Sequence, residues 1–479
     1  EPGVGFADRR GARGVDGRSL PGGCSPPAVR PILSAPRSVM GLALPAALGL
    51  AFATSAEAQP LGRAVDTGEV PWPDPVVGQD VPLDGVRPVS EGVLRSPRVP
   101  VSVHLAAGGD VVVAQEALRL AERALDALEF GHGFPPPLPD GARGGDATLD
   151  LYLADDGPAM EAVVDRLESS PWDRASVFVR VRTTGDHALL RRRVTEGVAR
   201  AVVLGAKADH PPAFVAAAGA SLARMVTGDA ADPEAVRAFQ AAPARAIFGG
   251  WGQGDAAGRG AGMFLDYITA RWDDEEHKLV RSLLVAPVVH TPLGWHRLWD
   301  EPDVFDIARR MFRDEPGRLE AALMDFSVGR ALAGTRADAD RLTGTDDPTH
   351  ALRPFRLVRH ADLPRWVPSD EALEPTGCAV VELNLDDVPL RGTVAGWFHG
   401  SPWQRWMVRV VRIAGDGRAV RDLGSDVIAD GEWSVQLDLL DGYTRVLFVV
   451  LNLGDMTYEP DQPQSANGTF AINLARGGR

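Results

Sequence analysis

The sequence predicts an α+β fold ending in an antiparallel β-sandwich, and three observations carry that prediction. Short alternating runs at 101–105, 149–153 and 176–181 have the two-residue period of strands, whereas 187–333 is dominated by apolar residues at helical spacing. Beyond residue 376, short apolar runs recur between turn dipeptides such as Asp416-Gly417, Asp430-Gly431 and Asp441-Gly442.

Residues 1–38 are rich in Arg, Gly and Pro without apolar periodicity and read as a disordered extension. Residues 39–58 read as a signal peptide. Arg30 and Arg37 flank an apolar run from Met40 to Phe52, and Ala56-Glu57-Ala58 before Gln59 fits a small-residue cleavage site. That run is shorter than the ~20 residues a permanent span needs, so the expectation is an exported chain with no membrane span after cleavage. Its destination is periplasm, cell surface or medium. Residues 59–98 carry many Pro and Gly and read as a linker or pro-segment.

In the ordered part, the strand at 101–105 precedes a helical pattern through Leu118, Ala121, Leu125 and Leu128. Strands at 149–153 and 176–181 flank a stretch at 160–167 whose spacing predicts a short helix. A long helix follows from His187 to Gly205, a second from Pro212 to Met225, and further helices lie near 262–271, 275–285, 304–312 and 319–332. Residues 334–375, acidic and Pro-containing, read as a linker. Six strands are predicted from 378 to 474, forming a sandwich over 376–475.

The formal net charge is −15, and residues 1–58 hold six Arg against four acids, so the remainder is more acidic still. An acidic surface disfavours nucleic acid and anionic membranes as partners. Cys24 lies in the segment that cleavage would remove, leaving Cys378 without an intramolecular partner. No Gly-x-Ser-x-Gly elbow, P-loop or dinucleotide fingerprint occurs.

Three segments carry a family resemblance. They are the turn Gly133-Phe-Pro-Pro-Pro-Leu-Pro-Asp-Gly141 leading into the strand at 149–153, Arg193-Val-Thr-Glu-Gly-Val-Ala199, and Pro212-Ala-Phe-Val-Ala-Ala-Ala-Gly219. With the order of elements over most of 99–475, they resemble gluzincin-type, thermolysin-like zinc peptidases, in particular secreted bacterial metallopeptidases with a C-terminal β-sandwich. The resemblance implies a metallopeptidase-like domain over 99–333, built from a mixed sheet lobe and a helical lobe. It places the His-Glu-x-x-His helix at 195–199 and the downstream Glu at 218. Thr195, Ala199 and Ala218 then stand where the zinc ligands belong, and none can ligate zinc usefully. Only Glu196, in the general-base position, is retained. Zinc is therefore the cofactor the family implies and this chain lacks the means to hold, and a lone helical Glu is more often a salt-bridge partner than a catalyst.

Other residues offer weaker chemistry. No two of the ten histidines lie three or four apart, and His290 and His296 are the closest pair. A cluster of His187, Asp209 and His210 is conceivable near the helix, Asp273 and Glu276 fit a capping box better than a metal site, and Asn452, Asp455 and Asp461 lack the calcium-loop pattern. Trp403, after Ser401-Pro402, is the best candidate for an exposed ligand-binding aromatic. Trp406 shares a strand face with Val408 and Val410 and reads as core. The leading expectation is an exported pseudopeptidase with a binding or scaffold role toward a protein, peptide or glycan. The alternatives are a hydrolase with an unconventional site, and a surface or carbohydrate-binding module carried by the sandwich.

Overall fold

The computed structural model describes residues 79–80, 85–167, 174–208, 210–249, 255–272, 278–285, 297–298, 304–312, 315, 317–334, 342, 347–386, 392–438, 440, 442–454 and 467–477. The chain divides into residues 1–58, which lie outside that set, and residues 59–479, to which everything below belongs. The expected extension and signal peptide therefore fall outside the described residues, as do Asp209, Asp273 to His277, His290, His296, Asp455 and Asp461.

Strand β1 (Gln79–Asp80) pairs antiparallel with β7 (Arg297–Leu298). The first sheet contains β2 (Gly92–Arg95), β3 (Val101–Leu105), β4 (Leu149–Ala154), β5 (Met160–Leu167) and β6 (Ala175–Arg182), in the order β2-β3-β4-β6-β5. Its three central strands are parallel and both edges antiparallel. Two expectations change here. The stretch at 160–167 is an edge strand, not a helix: Met160, Val163, Val164 and Leu167 mimic a helical stripe, but the β-branched valines suit the pleat and pair along β6. Residues 92–95, inside the expected linker, form the opposite edge.

Alternation gives this sheet two unlike faces. Val101, Val103, Leu149, Leu151, Leu153, Val177, Val179 and Val181 enter the main core. Ser102, His104, Asp150, Tyr152, Phe178 and Arg180 occupy the other positions of the same strands.

Helix α1 (Val111–Asp126) is capped by Asp110, whose Oδ1 accepts from the Val112 amide at 2.7 Å. Helix α2 (His187–Ala206) is capped likewise by Asp186. Helix α3 (Pro212–Thr227) begins with proline and ends at Gly228, whose φ of 68° suits the left-handed stop. Helices α4 (Pro233–Gln240), α5 (Asp255–Trp272), α6 (Lys278–Val285), α7 (Val304–Met311) and α8 (Arg318–Ala331) complete the helical part. Among the described residues, no helix is long and apolar enough to cross a membrane.

The C-terminal strands are β8 (Arg356–Arg359), β9 (Arg365–Pro368), β10 (Cys378–Asn384), β11 (Val394–Gly400), β12 (Arg405–Ala414), β13 (Ala419–Gly424), β14 (Glu432–Leu437), β15 (Tyr443–Gly454) and β16 (Phe470–Arg476). They form two facing sheets, β13-β12-β15-β10-β8 and β14-β11-β16-β9. The sandwich reaches back to Arg356, because β8 and β9 come from the segment that reads as linker. Each is four residues with one buried side chain, too little apolar signal to mark a strand.

Strands β10 and β15 are buried on both faces, which explains their unbroken apolar sequences. Val381, Val446, Phe448 and Val450 face the sandwich interior, while Cys378, Val380, Leu447, Val449 and Leu451 join the core shared with the helices. Three layers result: helices, a five-stranded sheet and a four-stranded sheet. The fold is α+β with a sandwich-like pair of sheets.

Candidate functional site

Helix α2 brings Thr195, Glu196 and Ala199 into the interior, and α3 does the same for Ala218; all four are at most 3 % exposed. Gly197 faces the first sheet, since a Cβ there would lie 2.5 Å from Val179 Cγ1. At about 100° per residue, Thr195 and Ala199 lie on the side of α2 opposite Gly197, away from that sheet. Glu196 and Arg200 lie between, toward α3, where a Cβ on Gly219 would meet Arg200 Cγ at 2.5 Å.

Glu196 is engaged. Arg200 Nη2 donates to Glu196 Oε1 at 2.7 Å, one turn along the same helix, and both side chains are under 10 % exposed. Glu196 borders a cleft with Ala220 and Ala223 whose free volume is about 20 Å³, room for about one water molecule and not for a peptide. The rim is ionic: Arg192 and Arg259 meet Asp232 at 3.6 and 3.1 Å. A zinc ion does not fit this chemistry. Hydroxyl and methyl side chains stand at the ligand positions, and a guanidinium on Glu196 would repel a second cation. Among the described residues, no group of three His, Cys, Asp or Glu side chains is placed to hold a metal ion.

His187 and His210 occupy different surroundings. His187 is exposed, 3.5 Å from Glu116, whereas His210 is buried and packs on Phe214 with ring centroids 4.4 Å apart. Burial first, and the nearby Lys207 charge second, push the His210 pKa well below its usual value, while a backbone hydrogen bond to Leu284 acts the other way. Asn452 is committed to structure: its amide donates to the Leu373 carbonyl at 2.8 Å, and its Oδ1 accepts from the Gly454 amide.

A buried charge cluster on the second face of the first sheet escaped the sequence reading. Arg87 reaches Asp140 at 2.5 Å and Asp165 at 2.9 Å and also bonds Asp150; these three carboxylates are at most 5 % exposed. His104 Nε2 is 2.9 Å from Asp150 Oδ1, and its ring stacks on Tyr152 at 4.4 Å. Burial opposes the Arg87 charge, yet its hydrogen bonds to Asp165, Tyr152 and Asp150 outweigh that and raise its pKa. The available signal was Asp150 amid the alternating leucines of β4. Its partners lie too far away in sequence to be paired by inspection. With all three carboxylates bonded to the one Arg87 guanidinium, the cluster ties Arg87 to the sheet.

On the sandwich, Trp403 is 77 % exposed and Trp406 fully buried. The outer face of the four-stranded sheet adds two aromatics: Trp397 on β11 and Trp366 on β9 are 40 % and 53 % exposed, and both pair in register with Asn473 on β16. His399 projects from the same face, 5.6 Å from the Trp366 ring.

No protein-family model matches this chain, and no curated protein matches it. Among solved structures, a mitogen from Yersinia pseudotuberculosis aligns with 24 % of this chain and 90 % of its own at 8 % identity and a TM-score of 0.18. The enzymatically active domain of tailspike protein 4 from bacteriophage CBA120 aligns over 22 % and 15 %, at 11 % identity and a TM-score of 0.17. CorA, a surface-associated copper-binding protein of Methylomicrobium album BG8, aligns over 25 % and 97 %, at 8 % identity and a TM-score of 0.16. Likenesses this slight carry no argument about fold or function.

Proposed function

We propose that this chain is an exported, non-hydrolytic binding or scaffold protein built on a thermolysin-like plan whose zinc ligands have been replaced. The observation that carries this reading is the state of Glu196, buried, paired with Arg200 and beside a cleft the size of a water molecule. A peptidase general base must face an activated water and an open groove, and Glu196 has neither a ligand set to create the first nor space for the second. Zinc-supplemented protein is expected to show no chelator-sensitive cleavage of a peptide library. Such cleavage, abolished by Glu196→Gln, would overturn the proposal. Export is tested separately: the secreted product should begin at or near Gln59.

A second reading has its own support, the row Trp366–Asn473–Trp397. Two strand spacings separate the tryptophans, about 10 Å, comparable with the length of a disaccharide unit. Exposed indoles flanking an amide offer stacking to sugar faces and hydrogen bonds to hydroxyls. Glycan-array binding by the full chain, lost in Trp366→Ala with Trp397→Ala, would support a surface carbohydrate-binding role for the sandwich. An empty array, or signal unchanged by the substitutions, would remove it.

A further inference from the structure

A cavity of about 490 Å³ lies at the junction of the helical part and the sandwich, far roomier than the cleft at Glu196 and within the size range of small-molecule sites. Its wall combines Arg237 on α4, Arg353 just before β8 and Glu371 just after β9 with the apolar surfaces of Phe355, Ala379 and Val380. Among the described residues, the side chains of Arg237, Arg353 and Glu371 take part in no hydrogen bond or ion pair, although the Arg237 charge acts on the nearby Asp347 carboxylate. That sets these arginines apart from Arg191, Arg192, Arg224 and Arg259, which all meet carboxylates. Beside the cavity, His350 lies between the lining residues Thr349 and Ala351, is 3 % exposed, and has neither ring nitrogen hydrogen-bonded.

We propose that this cavity binds a small amino-acid-like carboxylate. Arg237 and Arg353 present guanidinium donors to the carboxylate, since planar N–H forks match that group's geometry. Glu371 accepts from the ligand's ammonium, and Phe355, Ala379 and Val380 receive its apolar body. An anion alone would leave Glu371 opposing it, whereas a zwitterion uses both signs of charge. The cavity is formed jointly by α4, the residues before β8 and the start of β10, so an occupant would brace the helical part against the sandwich. This site is separate from the Glu196 cleft, and the assignment holds whether or not the zinc-site reading does.

The test uses the full mature chain with L-phenylalanine as probe, followed by calorimetry and the His350 ring resonances. Hydrocinnamate lacks the ammonium, phenylalaninamide lacks the carboxylate, and inorganic phosphate lacks the apolar body. Phenylalanine should bind and shift the His350 signals, the amide should fail, and hydrocinnamate should bind more weakly. Arg237→Gln or Arg353→Gln should weaken phenylalanine binding roughly tenfold or more. Glu371→Gln should narrow the gap between phenylalanine and hydrocinnamate. All three positions are exposed, so these variants should melt close to the parent. The proposal is overturned if phenylalanine does not bind at millimolar concentration, if phosphate binds as well as phenylalanine does, or if the arginine substitutions leave the affinity unchanged.

Discussion

Glu196 and Arg200 illustrate how one residue's surroundings decide between catalyst and structural partner. A pair this buried is costly to break, because removing one member strands the other's charge away from water. Arg200→Leu alone should destabilise the protein by roughly 3–5 kcal/mol, and Glu196→Leu combined with Arg200→Leu should recover much of that loss. Denaturant unfolding of the full double-mutant cycle checks this. Additive losses would mean that the two side chains do not depend on each other. His210 supplies the pH dependence. Its folded-state pKa is lowered, so the unfolded chain takes up the proton first, and stability present above about 6.5 declines as pH falls below it. The expected slope approaches about 1.4 kcal/mol per pH unit. His210→Phe, which keeps a ring against Phe214, should flatten that part of the profile, and chemical denaturation from pH 7 to pH 5 measures the difference.

At the level of elements, helix packing relies on close backbone approach. A Cβ on Gly260 of α5 would lie 2.2 Å from the Ala235 carbonyl oxygen of α4 and 2.6 Å from Phe239 Cβ. Gly260→Ala should therefore cost roughly 1–3 kcal/mol by overpacking, although alanine is the better helix former. A rise in melting temperature would show that α4 and α5 can separate at no cost. Helices α2, α3 and α8 and strands β10, β12 and β15 were legible in the sequence because each is long and rich in apolar residues, at helical spacing in the helices and in nearly unbroken runs in β10 and β15. Strands β2, β8 and β9 were not: four residues with at most one fully buried side chain leave almost no pattern, and their pairing comes from distant chain. In β5 the apolar spacing fits a helix as well as a strand, and the edge of β6 decides. In the sequence, the positions Thr195, Ala199 and Ala218 were singled out by the family resemblance alone. Arg200 as the partner of Glu196 was not singled out there, and the Arg87 cluster and the junction cavity depend on residues from three or more separated segments.

Across the whole molecule, Arg330 joins the helical part to the sandwich. It is 1 % exposed, bonds Gln240 Oε1 and the Phe239 carbonyl at 3.0 Å each, lies 4.0 Å over the Phe239 ring, and approaches Cys378 Sγ at 3.7 Å. Nearby, Glu374 and Thr376 accept the amides of Ala246 and Ile247, stitching the two parts along a second line. Arg330→Ala should cost at least ~2 kcal/mol by leaving buried acceptors unmet, and should split one calorimetric unfolding transition into two. A single transition, merely shifted, would mean that the sheet face alone couples them. The central proposal is that α2 and α3 correspond to the helix pair of a zinc peptidase with its metal ligands replaced. Elemental analysis of the purified mature protein, after exposure to zinc and extensive dialysis, tests it most directly. The account predicts well under one zinc per chain, because Thr195, Ala199 and Ala218 offer no imidazole or carboxylate; one tightly held zinc per chain, lost together with peptide hydrolysis on chelation, would contradict it.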